Sequence, residues 1–304
     1  MTPPPRVCVA PDASPEWVRD AVRRGGAVVV PADEATAVVW TAARDADGLA
    51  RLLGDSPAID WVQVPFAGIE NFVPLLDART WTCGKGVYAE PVAEMALALA
   101  LAGMRHVAGY AREAGWSGPR GRNLLGANVT ILGGGGITES LVRLLGPFGC
   151  RITVMRRRPE PVEGVTTVIG PDRLADGLAG ADLVVLALPL TPDTEGIIGR
   201  AEFSIMENHA WLVNVARGGH VVTDELVTAL EHGEIGGAAL DVTDPEPLPA
   251  DHPLWRLPNC IITPHVGNTP EMAVPLLAER IETNVRRYGA GQPLVGLVDV
   301  RAGY

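Results

Sequence analysis

Ten short β-rich runs, in two series separated by a long apolar helical stretch, constrain this chain more than any other feature. "RVCVA", "AVVV", "AVVWT" and "WVQVPFAG" form the first series. "NVTILGG", "RITVMRR", "DLVVLALP", "WLVNVARG", "GAALDV" and "CIITPHVG" form the second. Helical patterns fill the intervals. Apolar runs spaced by helices predict parallel strands buried on both faces, the α/β class. Two series in succession predict two such units. The separating stretch, "PVAEMALALALAGM" at 91–104, carries Glu94 and is too short to span a bilayer, so it reads as a buried helix.

Composition narrows the function classes. A net charge of −11 argues against nucleic acid or an anionic membrane as partner. An anionic ligand therefore requires a local basic site. Cys8, Cys83, Cys150 and Cys260 are scattered without a C-x-x-C pair, which suits reduced thiols. The opening "MTPPPRVCVAP" has no basic segment followed by an apolar stretch. Both features carry the expectation of a cytoplasmic protein. No His/Cys/Asp spacing suggests a metal site.

The second series opens with "VTILGGGGITE", residues 129–139, which runs from a strand through glycines into the helical pattern of "ESLVRLLGPFG". Strand, glycine turn, helix is the context of a dinucleotide fingerprint. Gly133 permits the tight turn, and Gly135 lets the backbone approach a pyrophosphate at the helix N-terminus. Thr138 stands where a third Gly or Ala is usual. Its branched side chain is expected to crowd the strand–helix packing, and Glu139 to repel a phosphate.

Arg156, Arg157 and Arg158 close the next strand, Arg156 lying 23 positions after Gly133. An acid there would bind the adenosine ribose of NAD, whereas arginine pairs with the 2′-phosphate of NADP. NADP(H) is the expected cofactor, with NAD(H) as the alternative.

Later strands each end in one polar group: Arg217 in "LVNVARGGHVV", Asp241 in "AALDVTDPEPLP" with Glu246 five positions on, and His265 in "CIITPHVGNTP". Ligands of doubly wound sheets bind beyond the carboxyl ends of the strands, where these loops should converge. Arginine holds a carboxylate by two hydrogen bonds, and a histidine beside a carboxylate can deliver a proton. These groups are equipment for reducing a 2-keto acid. His106, His209, His220, His232 and His252 lack this context and read as structural or surface residues.

The segments "LPLTPDTEGIIG", "WLVNVARGG", "ALDVTDPEPLPADHPLWRLPN" and "TPHVG", with "VQVPFAGIENF" and "GVYAEPVAEMALAL" upstream, resemble successive signatures of the D-isomer-specific 2-hydroxyacid dehydrogenases. The resemblance implies two Rossmann-like domains. A flavodoxin-like substrate domain is expected from residues 1–98 plus 275–304, and a doubly wound NAD(P)-binding domain from 99–274. It implies that Arg217 grips the substrate and polarises its carbonyl, that His265 is the general acid, and that Glu246 pairs with His265. Backbone amides at Ala67 and Gly68 would cradle the substrate carboxylate. Cofactor contacts would come from Gly133, Gly135, Gly136, Ile137, Arg156, Arg157, Pro189, Thr191, Val215, Ala216, Asp241, His265 and Gly267. Asp241 would meet the nicotinamide end.

The implied activity is hydride transfer between a nicotinamide cofactor and a small 2-keto or D-2-hydroxy acid, in a homodimer that needs no metal. Glyoxylate and hydroxypyruvate are the favoured substrates, because the arginine run resembles that of NADPH-using reductases. A phosphoglycerate dehydrogenase-like enzyme is one alternative and would need another basic group for the substrate phosphate. A non-catalytic NAD(P)(H)-sensing protein is the other, to which Thr138 and Glu139 lend support.

Overall fold

A computed structural model describes residues 3–300. The chain forms two compact units, one from the residues up to Tyr88 together with those from Thr269 onward, the other from Ala89–Asn268. These divisions fall before the expected boundaries at 98/99 and 274/275, each of which would cut a helix. Residues 1–2 and 301–304 of the expected first domain lie outside the described residues.

In chain order the first unit begins with β1 (Arg6–Ala10), α1 (Glu16–Arg24), β2 (Val28–Val29), β3 (Ala37–Trp40), α2 (Ala46–Asp55), β4 (Trp61–Gln63) and β5 (Thr80–Thr82). The second contains α3 (Ala89–Met104), α4 (Val107–Arg112), β6 (Asn128–Leu132), α5 (Gly136–Leu145), β7 (Arg151–Met155), β8 (Thr167–Ile169) and α6 (Leu174–Leu178). It continues with β9 (Leu183–Leu186), α7 (Arg200–Ile205), β10 (Trp211–Asn214), α8 (Thr223–His232), β11 (Gly237–Leu240) and β12 (Cys260–Ile262). The last helix, α9 (Pro270–Gly289), belongs to the first unit and packs on α1.

The first sheet has the order β2-β1-β3-β4-β5, all parallel, which is the flavodoxin-like order. Its strands are short and their residues almost wholly buried. Val7, Val38, Trp61 and Val62 are fully enclosed. Asn284 of α9 is buried too. It donates from Nδ2 to Gln63 Oε1 and to the Val295 carbonyl, both at 2.9 Å, and so satisfies polar atoms of the core.

The second sheet runs β12-β11-β10-β9-β6-β7-β8, again all parallel. Reading from β8, strands go outward from β6 on one side and then, through β9, on the other. This is the doubly wound order, with its switch point between β6 and β9. Leu132, Leu186 and Leu212 are buried in one layer and Ile131, Leu141 and Val213 in another, so both sheet faces are covered. The apolar helix at 89–104 packs mainly on α5 and reaches β10 and β11, which explains its lack of a polar face.

Candidate active site and cofactor loop

At the switch point, Gly133 follows β6 with φ of +123°. A Cβ there would stand 2.1 Å from the Ala187 carbonyl oxygen, so the site excludes every other residue type. Its N–H donates to the Met155 carbonyl at 2.9 Å, tying the turn to the end of β7. A Cβ on Gly134 would stand 2.8 Å from Arg156 Cβ and 3.0 Å from its Nε, so Arg156 lies against the loop. Gly135 faces open space and precedes the first helical residue, Gly136. A helix N-terminus with free backbone amides, no side chain in front of it and a guanidinium beside it fits a nucleotide pyrophosphate and its neighbouring phosphate.

Thr138 does not act as expected. It is buried, and its hydroxyl donates to the Gly133 carbonyl at 3.0 Å. The side chain is thereby accommodated and braces the turn. Glu139, one residue on, is exposed to solvent.

The polar groups at the strand ends assemble around Asp241. This carboxylate is 3% exposed and follows β11. Oδ1 accepts the Thr263 hydroxyl at 2.6 Å and the Val266 N–H at 2.9 Å, and Oδ2 accepts the Gly267 N–H at 2.8 Å. Asp241 thus clamps both sides of the turn that carries His265. His265 has φ of +52°, a conformation costly for a non-glycine residue and characteristic of functional sites. Its backbone N–H donates to the Asp241 carbonyl at 2.8 Å. In this orientation Nδ1 meets Glu246 Oε1 at 2.8 Å, with side chains 51% and 39% exposed. With Nδ1 held by the carboxylate, Nε2 is the nitrogen left for a reacting group.

Arg217 follows β10. The Gly218 beside it abuts the chain leading to Glu246, because a Cβ on Gly218 would stand 2.0 Å from the Thr243 carbonyl carbon. The Arg217 carbonyl accepts from Asn214 Nδ2 at 2.8 Å, and Asn214 Oδ1 accepts the Ala216 N–H at 3.0 Å. Val215 and Ala216, just before it, are buried. After β9, the Thr191 N–H donates to Thr194 Oγ1 and the Thr194 hydroxyl donates to the Pro189 carbonyl, each at 2.8 Å.

These contacts bring Arg217, Asp241, Glu246, His265 and Gly267 into adjoining loops of the second unit. Gly133, Gly135, Gly136, Ile137, Arg156 and Arg157 flank the switch point of the same sheet. Ala67 and Gly68 lie in the first unit, in the loop after β4. There Phe66 accepts the Gly84 N–H at 3.0 Å and Pro65 accepts the Tyr88 hydroxyl at 2.9 Å.

Asn214 and Thr138 are the polar side chains whose roles the sequence reading missed, and His220, read as structural or surface, is fully buried. Asn214 carried a usable signal, being a lone amide at the end of an apolar strand just before Arg217. The four thiols are unpaired, and burial raises each above its ordinary value, Cys260 to about 12. None is an activated nucleophile. Among the described residues no cluster of His, Cys, Asp and Glu could hold a metal, and no helix is long and apolar enough to cross a membrane.

The family profile for the NAD binding domain of D-isomer specific 2-hydroxyacid dehydrogenases matches residues 95–267. The chain belongs to this family. A Corynebacterium melassecola protein described as an uncharacterized protein in the proB 3′ region is 40% identical over 255 residues, 81% of this chain and 84% of its own length. Glyoxylate/hydroxypyruvate reductase A of Serratia proteamaculans is 39% identical over 178 residues. That match covers 58% of this chain and 56% of the reductase, so the chain aligns with little more than half of that relative. Among solved structures, the NADPH-dependent glyoxylate/hydroxypyruvate reductase of Sinorhizobium meliloti, in complex with NADP and sulfate, superposes with a TM-score of 0.82 at 27% identity, covering 99% of this chain and 100% of its own. Membership makes the protein an NAD(P)-linked oxidoreductase of 2-hydroxy acids, with 95–267 inside its dinucleotide-binding domain.

Proposed function

We propose that the protein is an NADPH-preferring reductase of small 2-keto acids, with glyoxylate and hydroxypyruvate as its substrates. The observation that carries the reading is the His265–Glu246 pair held beside the Arg217 loop. A non-catalytic dinucleotide sensor has no evident use for a strained histidine whose carboxylate partner leaves Nε2 presented. Thr138, which lent the sensor support, braces the glycine turn instead.

In this reading the guanidinium of Arg217 binds the substrate and draws electron density from its keto oxygen, while backbone N–H groups at Ala67 and Gly68 receive the carboxylate. The nicotinamide, when bound, supplies the hydride that the carbonyl carbon accepts. His265 Nε2–H protonates the oxygen as negative charge develops on it. Glu246 stabilises the imidazolium before transfer and fixes the ring throughout. Asp241 keeps the His265 turn in place. Its carboxylate oxygens accept three hydrogen bonds from the protein, so its part in the nicotinamide site is to hold Val266 and Gly267 there.

Arg156 and Arg157 receive the 2′-phosphate of NADPH. Gly133, Gly135, Gly136 and Ile137 take the pyrophosphate, and Pro189, Thr191, Val215, Ala216 and Gly267 line the nicotinamide side. The domain roles follow, with the unit containing Ala67 and Gly68 as substrate domain. The same reading makes the protein a cytoplasmic homodimer. NADPH and NADH oxidation with glyoxylate, hydroxypyruvate and phosphohydroxypyruvate as acceptors tests the proposal. Turnover of the first two with NADPH is expected. A preference for the phosphorylated acid would move the assignment to a phosphoglycerate dehydrogenase-like enzyme.

A further inference from the structure

His220 is fully buried, yet both of its ring nitrogens face backbone carbonyls. Nδ1 lies 2.9 Å from the carbonyl oxygen of Arg217, and Nε2 lies 3.2 Å from that of Pro189. Carbonyl oxygens only accept, so the ring is held as a donor, and a ring with one proton can serve one carbonyl at a time. The two carbonyls belong to loops with different duties. One carries the substrate arginine after β10, and the other follows β9 on the nicotinamide side.

The loops are otherwise joined through backbone and packing. The Gly196 N–H donates to the Gly219 carbonyl at 2.8 Å, the Ile198 N–H donates to the His220 carbonyl at 3.0 Å, and Leu190 packs near Gly219. Asn214 Nδ2 and the His220 N–H, at 2.8 and 3.3 Å, also hold the Arg217 carbonyl. The imidazole reaches both Arg217 and Pro189.

We infer that His220 is a positioning residue that couples the substrate-binding arginine to the nicotinamide-side loop. It touches neither ligand and sets where each loop stands when the other is occupied. The inference rests on the assignment of Arg217 and Pro189 made above.

Two conservative variants separate the bonds. The amide of His220→Asn stands near Nδ1 and keeps the Arg217 bond, whereas that of His220→Gln reaches towards Nε2 and keeps the Pro189 bond. The expected result is a crossed pattern. His220→Asn retains the KM for glyoxylate and weakens NADPH binding about three- to tenfold. His220→Gln retains NADPH affinity and raises the keto-acid KM by a similar factor, about that of one hydrogen bond. Equal effects of both variants on both constants would overturn the inference.

Should either variant fail to fold, the unaltered enzyme labelled with ¹⁵N-histidine provides the test. The His220 ring nitrogens are expected to shift on addition of NADPH, and again on addition of oxamate, an unreactive 2-keto-acid isostere. Resonances unmoved by either ligand would overturn the inference. Turnover by the unaltered enzyme is the control. Its absence would overturn the assignment of the site together with this inference, whereas turnover without the crossed pattern or the shifts would overturn the role of His220 alone.

Discussion

His265 Nδ1 stands 2.8 Å from Glu246 Oε1 because Asp241, a residue that touches neither side chain's reactive atoms, holds the histidine's turn from both sides. The His265–Glu246 pair and the buried clamp are parts of one arrangement, and they are expected to respond differently to substitution.

Replacing Glu246 with Gln keeps a polar partner for Nδ1 and removes the charge that favours the imidazolium. The expected outcome is a kcat for keto-acid reduction lower by about ten- to a hundredfold, a modest part of the range general acids supply. NADPH affinity, measured by fluorescence titration, stays near that of the unaltered protein.

Asp241→Asn leaves an amide where three donors expect a carboxylate, and one of the amide's own faces is a donor. Each unsatisfied buried partner costs about 1–3 kcal/mol. Urea unfolding should register a loss of about that size. Turnover should also fall in the fraction that remains folded, since the strained turn at His265 is no longer held. Unchanged unfolding would refute the clamp.

Arg156 and Arg157 are expected to act on cofactor choice alone. Changing both to Gln removes charge-assisted contacts to the 2′-phosphate, each worth about 1.5–3 kcal/mol. The KM for NADPH should rise at least tenfold while that for NADH changes little. Equal losses with both cofactors would show that the arginines serve the fold rather than the phosphate.

Asp182 supplies a stability term that depends on pH. Desolvation raises its pKa, but the Asn128 N–H at 2.9 Å and His209 Nε2 at 2.8 Å outweigh it, and the net value lies below the ordinary 3.8. A carboxylate with a depressed folded pKa contributes stability that is fully present above its unfolded value and lost as pH falls through the folded one. Urea midpoints of the native protein should therefore decline more steeply below about pH 4 than those of Asp182→Asn. Parallel curves would contradict this.

Much of this architecture is legible in the sequence because the central strands are apolar on both faces. "VTIL", "LVVL" and "WLVN" announce themselves, and their order with the intervening helices yields the doubly wound sheet. β5 and β8 escape that reading. Each is a three-residue edge strand, "TWT" and "TVI", defined by one neighbour rather than by its own pattern. The candidate groups Arg217, Asp241 and His265, and the glycine turn, draw notice for a different reason, since each follows the end of a strand in family context.

Thr138 is misread, and the two carbonyl contacts of His220 go unseen, because such contacts lie in carbonyl oxygens that composition does not reveal. The partner of His220 Nε2 is 31 positions away. Asp241 is a candidate site residue in the sequence, but its hydrogen bonds to Val266 and Gly267 become visible only when the turn is built. The boundaries expected at 98/99 and 274/275 miss the divisions for a simple reason. Nothing in the apolar helix at 89–104 marks which compact unit owns it, and the division near 269 comes just before α9 rather than inside it.

The central claim is that this chain is a catalyst whose acid is His265. The most direct measurement follows NADPH oxidation by absorbance with glyoxylate or hydroxypyruvate, for the unaltered protein and His265→Ala side by side, with NADPH affinity measured on both. Rapid oxidation by the first, a fall of about 10²–10⁴-fold in the second and near-equal affinities are predicted. Oxidation that survives the substitution would contradict the mechanism, and tight NADPH binding without turnover in the unaltered protein would contradict the assignment of a reductase.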